Sequence, residues 1–81
     1  MIKVGALVVP AHEEGVIIRP ALNPHFADDR YRVWPAQRPA LVIAAGYRAA
    51  LGTNRGIRKL QVLLDSELGW VSEVFVNKIG G

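Results

Sequence analysis

Hydrophobic residues along this chain form short runs, and Pro and Gly interrupt them at close intervals. The interruptions fall at Gly5, Pro10, Gly15, Pro20, Pro24, Pro35, Pro39, Gly46, Gly52, Gly56, Gly69, Gly80 and Gly81. Because Pro breaks helices and strand ladders while Gly marks turns and bulges, this spacing favours many short strands over long helices. The runs are rich in β-branched residues and predict strands over residues 3–9, 15–19, 30–34, 41–44, 57–64, 70–71 and 74–79.

The clearest local signal is a β-hairpin between residues 57 and 72. Alternation predicts one strand face with Leu60, Val62 and Leu64 and an opposite face with Lys59, Gln61 and Leu63. Residues 65–67 then supply polar side chains that bond to turn backbone. We expect Gly69 to take a positive φ immediately before the chain re-enters a strand at Trp70.

The Ala-rich segment over residues 39–51 leaves two alternatives open. It has the length of about three helical turns, although Gly46 in the middle would cost a helix about 1 kcal/mol relative to Ala. Val42 and Ile43 favour a strand instead. We favour a bent strand, with the bend at Gly46 and with Tyr47, Ala49 and Leu51 on one face.

Composition limits the function classes. The chain has 81 residues, of which 51% are hydrophobic and 21% charged, and it contains no Cys. This predicts a single globular domain over residues 1–81 and excludes disulfides, Cys-ligated metals and a thiol nucleophile. The formal charge of +3 is mild for a nucleic-acid-binding protein. No stretch approaches the roughly 20 apolar residues that span a bilayer, so we expect a soluble, cytoplasmic protein with no membrane partner.

The segment from Gly69 to Ile79 resembles the end of SH3 and bacterial SH3-like domains. In that family a Gly with an apolar or aromatic residue follows the distal hairpin, and one 3₁₀ turn and a short last strand come next. Here Gly69, Trp70 and Val71 match the strand after the hairpin, residues 72–75 with Phe75 match the 3₁₀ turn, and residues 76–79 match the last strand. Residues 60–65 fit the other arm of the hairpin.

The opening at residues 3–8 is similar to the basic, apolar, Gly-containing start of many SH3-like barrels, including small phage-encoded ones. The resemblance implies an all-β, SH3-like barrel of about five to six short strands, of bacterial or phage origin. The acidic Ala-Leu-Tyr-Asp-Tyr-like loop and the paired Trp that grip Pro-rich peptides are missing, and Trp34 is followed by Pro35. We therefore expect the SH3-like fold to carry over and the Pro-peptide function not to.

Catalytic and metal-binding patterns are weak. His12, Glu14, His25 and Asp28 offer imidazole and carboxylate ligands, but their spacing matches no metal signature, so we interpret them as polar loop residues and predict no metal or cofactor. The only hydroxyl side chains of Ser and Thr are Thr53, Ser66 and Ser72, and no nucleophile motif surrounds them. We expect a protein that is not an enzyme.

Basic and aromatic residues provide a nucleic-acid alternative. Residues 52–59 are not a phosphate-binding P-loop, and a hairpin turn at residues 54–56 explains their glycines. Arg19, Arg38 and Arg48 are further scattered cations. The candidate residues for binding a partner or a nucleic acid are Arg30, Arg32, Trp34, Tyr47, Arg55, Arg58 and Lys59. The opposing interpretation places Trp34 and Tyr47 in the core or at its rim and the Arg side chains in solvent, and we favour it.

The apolar excess points to protein contacts. Few chains of this length bury so large a hydrophobic fraction alone, so one face is expected to be covered by another copy, as in a homo-oligomer, or by a protein partner. The sequence therefore predicts a non-catalytic interaction or assembly module, and a nucleic-acid-binding small barrel is the alternative.

Overall fold

The protein is built from short β-strands. The computed structural model describes residues 1–22, 30–49 and 56–80. Within those ranges there is no α-helix, and the strands are β1 (Leu7–Pro10), β2 (Val16–Ile18), β3 (Arg32–Trp34), β4 (Ala40–Ala49), β5 (Gly56–Leu64), β6 (Glu67–Ser72) and β7 (Val76–Lys78). One 3₁₀ turn, Glu73–Phe75, precedes β7. The predicted all-β class and the 3₁₀ turn before the last strand are confirmed.

The strands form two antiparallel sheets. Five strands pair in the order β6-β5-β4-β1-β7, and β2 pairs with β3. One pair of residues links the sheets, since the Arg19 amide donates to the Trp70 carbonyl at 3.1 Å and the Trp70 amide donates to the Arg19 carbonyl at 2.7 Å. The β2–β3 hairpin therefore continues from the β6 edge of the larger sheet.

Both sheets contribute to one hydrophobic core. Its buried members are Val8, Val16, Ile18, Trp34, Ala40, Val42, Leu60, Val62, Leu64, Val71 and Val76. Trp34 is the largest fully buried side chain, and its indole Nε1 donates to the Arg38 carbonyl, so the polar atom is satisfied inside the core. Trp34 therefore lies in the core and not on a binding surface.

The β5–β6 hairpin has the predicted alternation. Leu60, Val62 and Leu64 are buried, and the intervening residues face outward. The positive φ angles, however, lie at Asp65 (54°) and Ser66 (66°), the pattern of a type I′ turn. The positive φ expected at Gly69 was wrong, because Gly69 lies within β6 and faces the core at Ile18.

The Ala-rich middle segment is strand β4, so its helical alternative was wrong. The irregularity in its pairing lies at a different position from Gly46, where we expected the bend. Pairing with β5 shifts between Val42 and Ala44, which makes Ile43 a bulge, and then continues without a shift through Gly46. Leu51, which was expected on the Tyr47 face, lies outside the described residues.

The ends of two other predicted strands also differ. The first strand begins at Leu7 because Gly5 has a φ of 96° and the Ala6 amide donates to the Lys3 carbonyl at 3.1 Å, which turns the chain before the sheet. Gly56 opens β5 rather than closing a turn. The remaining residues of the predicted turn at 54–56 lie outside the described ranges.

Candidate functional site

The predicted basic and aromatic site residues lie in three separate places. Trp34 is in the core and so cannot stack on a base. Arg30 and Arg32 line a pocket beside the β2–β3 hairpin. Tyr47 and Arg58 pair across β4 and β5, and Lys59 follows on the opposite face of β5. Arg55 lies outside the described residues.

Arg58 has a structural role that its basic charge did not indicate. Its Nη1 donates to the Ile2 carbonyl at 2.6 Å and forms an ion pair with Glu73 Oε2. The same Glu73 oxygen accepts from the Ile2 amide at 2.8 Å. Arg58 and Glu73 therefore hold both backbone polar groups of Ile2, and this trio is called the N-terminal clamp below.

Arg32 is also committed to internal contacts. Its Nη1 and Nη2 donate to the Leu64 carbonyl at 3.5 and 3.4 Å, and its Nε lies 3.1 Å from Glu67 Oε2. These contacts fasten β3 to the β5–β6 hairpin. A guanidinium with three of its nitrogens so engaged is poorly placed to neutralise a ligand phosphate.

The pocket beside the hairpin has a volume of about 220 Å³. Its walls carry three cations, one aromatic ring and one carboxylate, contributed by Arg19, Arg30, Arg32, Tyr31 and Glu67. Arg19 Nη1 lies 3.5 Å from the Arg30 carbonyl, and Tyr31 is exposed. The charge balance of the pocket is positive, which favours an anionic group.

The four residues expected to be structural hold different positions. Val71 is in the core, and Gly69 packs against Ile18. Trp70 is half-buried and forms the link to Arg19. Phe75 is exposed in the 3₁₀ turn, where its ring lies 5.8 Å from the His12 ring, and its carbonyl accepts from the Ala11 amide at 2.8 Å.

A shallow groove of about 440 Å³ lies beside that ring pair. Ile17 and Val33 face each other across the β2–β3 ladder and form its apolar floor, and His12, Glu14 and Phe75 border it. Of the residues considered as metal ligands, His12 and Glu14 are therefore groove residues, whereas His25 and Asp28 lie outside the described ranges. Within those ranges no three His, Asp or Glu side chains cluster as a metal site.

The feature that the sequence did not reveal is a continuous line of aliphatic side chains on the outer face of the larger sheet. The strand register places Leu7 opposite Leu41, Leu41 opposite Leu63, and Leu63 opposite Leu68. Ile79 extends the line, because its amide donates to the Leu7 carbonyl at 2.9 Å directly after β7. These five residues, called the aliphatic row, are each between 38% and 49% exposed.

The aliphatic row crosses every strand of the larger sheet. Four strands, β6, β5, β4 and β1, each contribute one outward residue, and Ile79 follows β7 directly. Leu41 on β4 is the middle member of the row. The sequence did single out Leu63, because it is an apolar residue on a strand face whose other outward positions, Lys59 and Gln61, are polar. The line itself depends on the register between strands, which that local pattern does not contain.

Comparison of the chain with models of protein families, with curated proteins and with solved structures finds no match. Among the described residues, no helix has the length and apolar character needed to cross a membrane. The candidate site is therefore argued from its own geometry. The aliphatic row is the most extended of the surfaces described above, since it runs across five strands.

Proposed function

We propose that this chain is a non-catalytic protein interaction or assembly module and that the aliphatic row is its contact surface. The observation that carries the proposal is the alignment of five large aliphatic side chains across the full width of the outer face of one sheet. Scattered exposed apolar residues are normal on protein surfaces, whereas large contiguous apolar patches mark contact sites. A partner that covers the row gains about 25 cal/mol for each Å² of apolar surface removed from water.

The chemistry of the row supports binding over catalysis. Leu and Ile side chains carry no nucleophile, no proton donor and no metal ligand, so burial is the interaction that they offer. The row is also supported rigidly, because the residues that alternate with Leu41 and Leu63 along β4 and β5 are buried core residues, including Val42 and Val62. A rigid apolar surface loses little conformational entropy when it binds.

We also propose that the arrangement is an SH3-like barrel. Support comes from the order of the elements, in which the antiparallel run β4-β5-β6 is followed by a 3₁₀ turn and by β7, which pairs with β1.

Photo-crosslinking in the cells that make the protein tests the interaction role. A photoreactive amino acid replaces Leu63 in one variant and Ile57 in another. Both residues belong to β5, their exposures are 40% and 41%, and they lie six residues apart, a distance of about 20 Å along a strand. We expect covalent adducts with protein from position 63 and not from position 57. Equal yields at both positions, or no adduct at either, would refute the proposal.

The second candidate function is binding of a single-stranded nucleic acid at the pocket beside the hairpin. The observation that favours it is that Arg19, Arg30 and Tyr31 all line one pocket, where an exposed ring offers a stacking surface among cationic groups. Of the other predicted cations, Arg32 borders the same pocket with its ion-pair partner Glu67, and Arg58 is held in the N-terminal clamp.

Fluorescence anisotropy with a mixed-sequence oligonucleotide tests this second function. Binding is expected at low salt, and log affinity should fall with log salt concentration by about 0.7 for each phosphate neutralised. Replacing Arg19 by Gln should make that slope shallower, and replacing Tyr31 by Ala should weaken binding without changing the slope. The absence of binding at low salt would exclude the function.

A further inference from the structure

We propose that the aliphatic row is covered by the aliphatic row of a second copy of this chain, which forms a symmetric homodimer. The inference rests on the proposed function, because it names the partner of the same surface. It is separable from that function, since a different protein could occupy the row while the chain itself stays monomeric.

The first argument is self-complementarity. A two-fold dimer presents the same patch from both subunits, so the patch must fit itself. All five members of the row are aliphatic, with Leu41 in the middle and two members on either side. A two-fold axis that lies in the interface at Leu41, along the strands, places Leu41 against its own copy. It also places Leu7 against Leu63 of the other copy and Ile79 against Leu68, so every contact joins two aliphatic side chains.

The second argument is charge. A partner chosen by charge complementarity requires charged groups on the surface that it covers, and the row has none. Asp65, directly after β5, is already paired with Arg38, and the cation on the outward face of β5, Lys59, lies four residues from Leu63. The chain carries a net charge of +3, so two copies repel one another weakly at long range. A neutral, apolar surface is the one at which copies with the same net charge can meet.

The third argument is size. Four intervals of about 4.8 Å separate the five strands, which makes the row about 19 Å long, and sheets pack face to face at about 10 Å. A stable interface buries about 800 Å² on each partner. Five partly exposed side chains supply less than that, so the contact must also include flanking residues on the same face such as Gln61 and Trp70. A dimer of this kind is reversible, with a dissociation constant in the micromolar range or weaker.

Sedimentation velocity on the full chain tests the proposal between about 1 μM and 1 mM, which brackets the affinity expected for a small apolar interface. The wild-type mass should rise from one chain to two across this range. Leu63→Lys should weaken association at least tenfold, and the matched variant Ile57→Lys should not. Circular dichroism and thermal melts of both variants establish that they are folded. Higher salt should strengthen the dimer by screening like charges, whereas it weakens nucleic-acid binding.

Disulfide trapping provides a second measurement that does not depend on a destabilising charge. The natural chain has no Cys, so a single introduced thiol reports one position. Under mild oxidation by copper phenanthroline, Leu41→Cys should form a disulfide-linked dimer readily because position 41 lies on the axis, and Ile57→Cys should form it slowly. Retention of the dimer in Leu63→Lys, or equal trapping at positions 41 and 57, would overturn this interface.

A wild-type chain that is monomeric at every concentration overturns the homodimer. If position 63 then still crosslinks to another protein in cells, the interaction role survives and only the identity of the partner was wrong. If neither a dimer nor an adduct forms, both proposals fail together. Sedimentation and crosslinking together therefore distinguish a wrong partner, in which only the homodimer is refuted, from a wrong function, in which the interaction role is refuted as well.

Discussion

Gly69 and Ile18 pack so closely that a single methyl group would not fit between them. A Cβ atom on Gly69 would lie 2.8 Å from Ile18 Cδ1, 3.2 Å from Cγ1 and 3.1 Å from Cβ. Ile18 is fully buried, and its Cβ cannot move without its backbone. The close approach of β2 to β6, which joins the two sheets, therefore requires Gly at this position.

Gly69→Ala should accordingly lower the free energy of unfolding by about 1 to 3 kcal/mol, as overpacking does in a core. Gly46→Ala is the matched control. Its Cβ would lie 2.9 Å from Leu22 Cδ2, which is the far end of a half-buried, flexible side chain. We expect that variant to be within about 0.5 kcal/mol of wild type, because the Leu22 methyl can rotate away. Urea denaturation measures the free energy of unfolding of both variants. Equal losses would contradict the conclusion that the close approach of β2 to β6 requires Gly at position 69.

The turn between β5 and β6 contains unfavourable backbone conformations, and their removal should stabilise the protein. Asp65 and Ser66 both have positive φ, which is unfavourable for residues with a Cβ, and Asp65 is also paired with Arg38. Ser66→Gly should raise the free energy of unfolding by about 0.5 to 1 kcal/mol, since Gly is the preferred second residue of a type I′ turn. Thermal unfolding detects the gain. Ser66→Ala, which keeps the unfavourable φ, should bring none.

The N-terminal clamp should make Glu73 more important than a typical surface carboxylate. The side chains of Arg58 and Glu73 are only 14% and 25% exposed. Glu73→Gln removes the charge opposite Arg58 and should cost about 1 to 3 kcal/mol, because a largely buried cation loses its partner. The side chains of the Arg32–Glu67 pair are 34% and 65% exposed, so Glu67→Gln should cost less than about 1 kcal/mol.

Urea denaturation ranks these two variants. Hydrogen exchange adds a local readout in a further variant, Glu73→Ala, which removes the oxygen that accepts from the Ile2 amide. That amide should lose protection in Glu73→Ala and keep it in Glu67→Gln. A similar loss of stability in both variants would mean that the clamp has no special role.

The two Trp residues should report different environments. Trp34 is in the core and Trp70 is half-buried at the link between the sheets. In Trp70→Phe, the remaining Trp34 fluorescence should be blue-shifted and resistant to acrylamide, and oligonucleotides should leave it unchanged. Trp34→Phe removes the bond to the Arg38 carbonyl and part of the core volume, and it should destabilise by about 1 to 3 kcal/mol. Quenching of Trp34 by an oligonucleotide would contradict its placement.

Local sequence patterns predicted the strands and turns that are determined by residues next to one another in the chain. The alternation of Leu60, Val62 and Leu64 fixes a strand with one buried face, and the polar residues after it fix a turn. The prediction failed at Gly69 because its requirement comes from Ile18, which is 51 residues away along the chain. A glycine needed for a close approach looks the same in sequence as one needed for a turn.

The candidate site was predicted less well than the fold. Arg58 and Arg32 were taken as surface cations, and their partners Glu73, Ile2 and Glu67 come from distant parts of the chain. The apolar excess led us to expect a face covered by another copy or by a partner, and that covering stays a prediction. The residues of that face could not be named, because the aliphatic row depends on the register of five strands and on a bulge at Ile43.

The position of β1 between β4 and β7 also determines when the fold can be completed. Val8 pairs with Lys78, so an interior strand of the sheet needs a partner 70 residues further along the chain. Such distant pairings make folding slower than in a helical protein of equal length. The aliphatic row includes Leu7 and Ile79, one from each end of this arrangement. Synthesis through β6 alone therefore leaves the aliphatic row without Ile79, so the row is complete only after β7 has paired with β1.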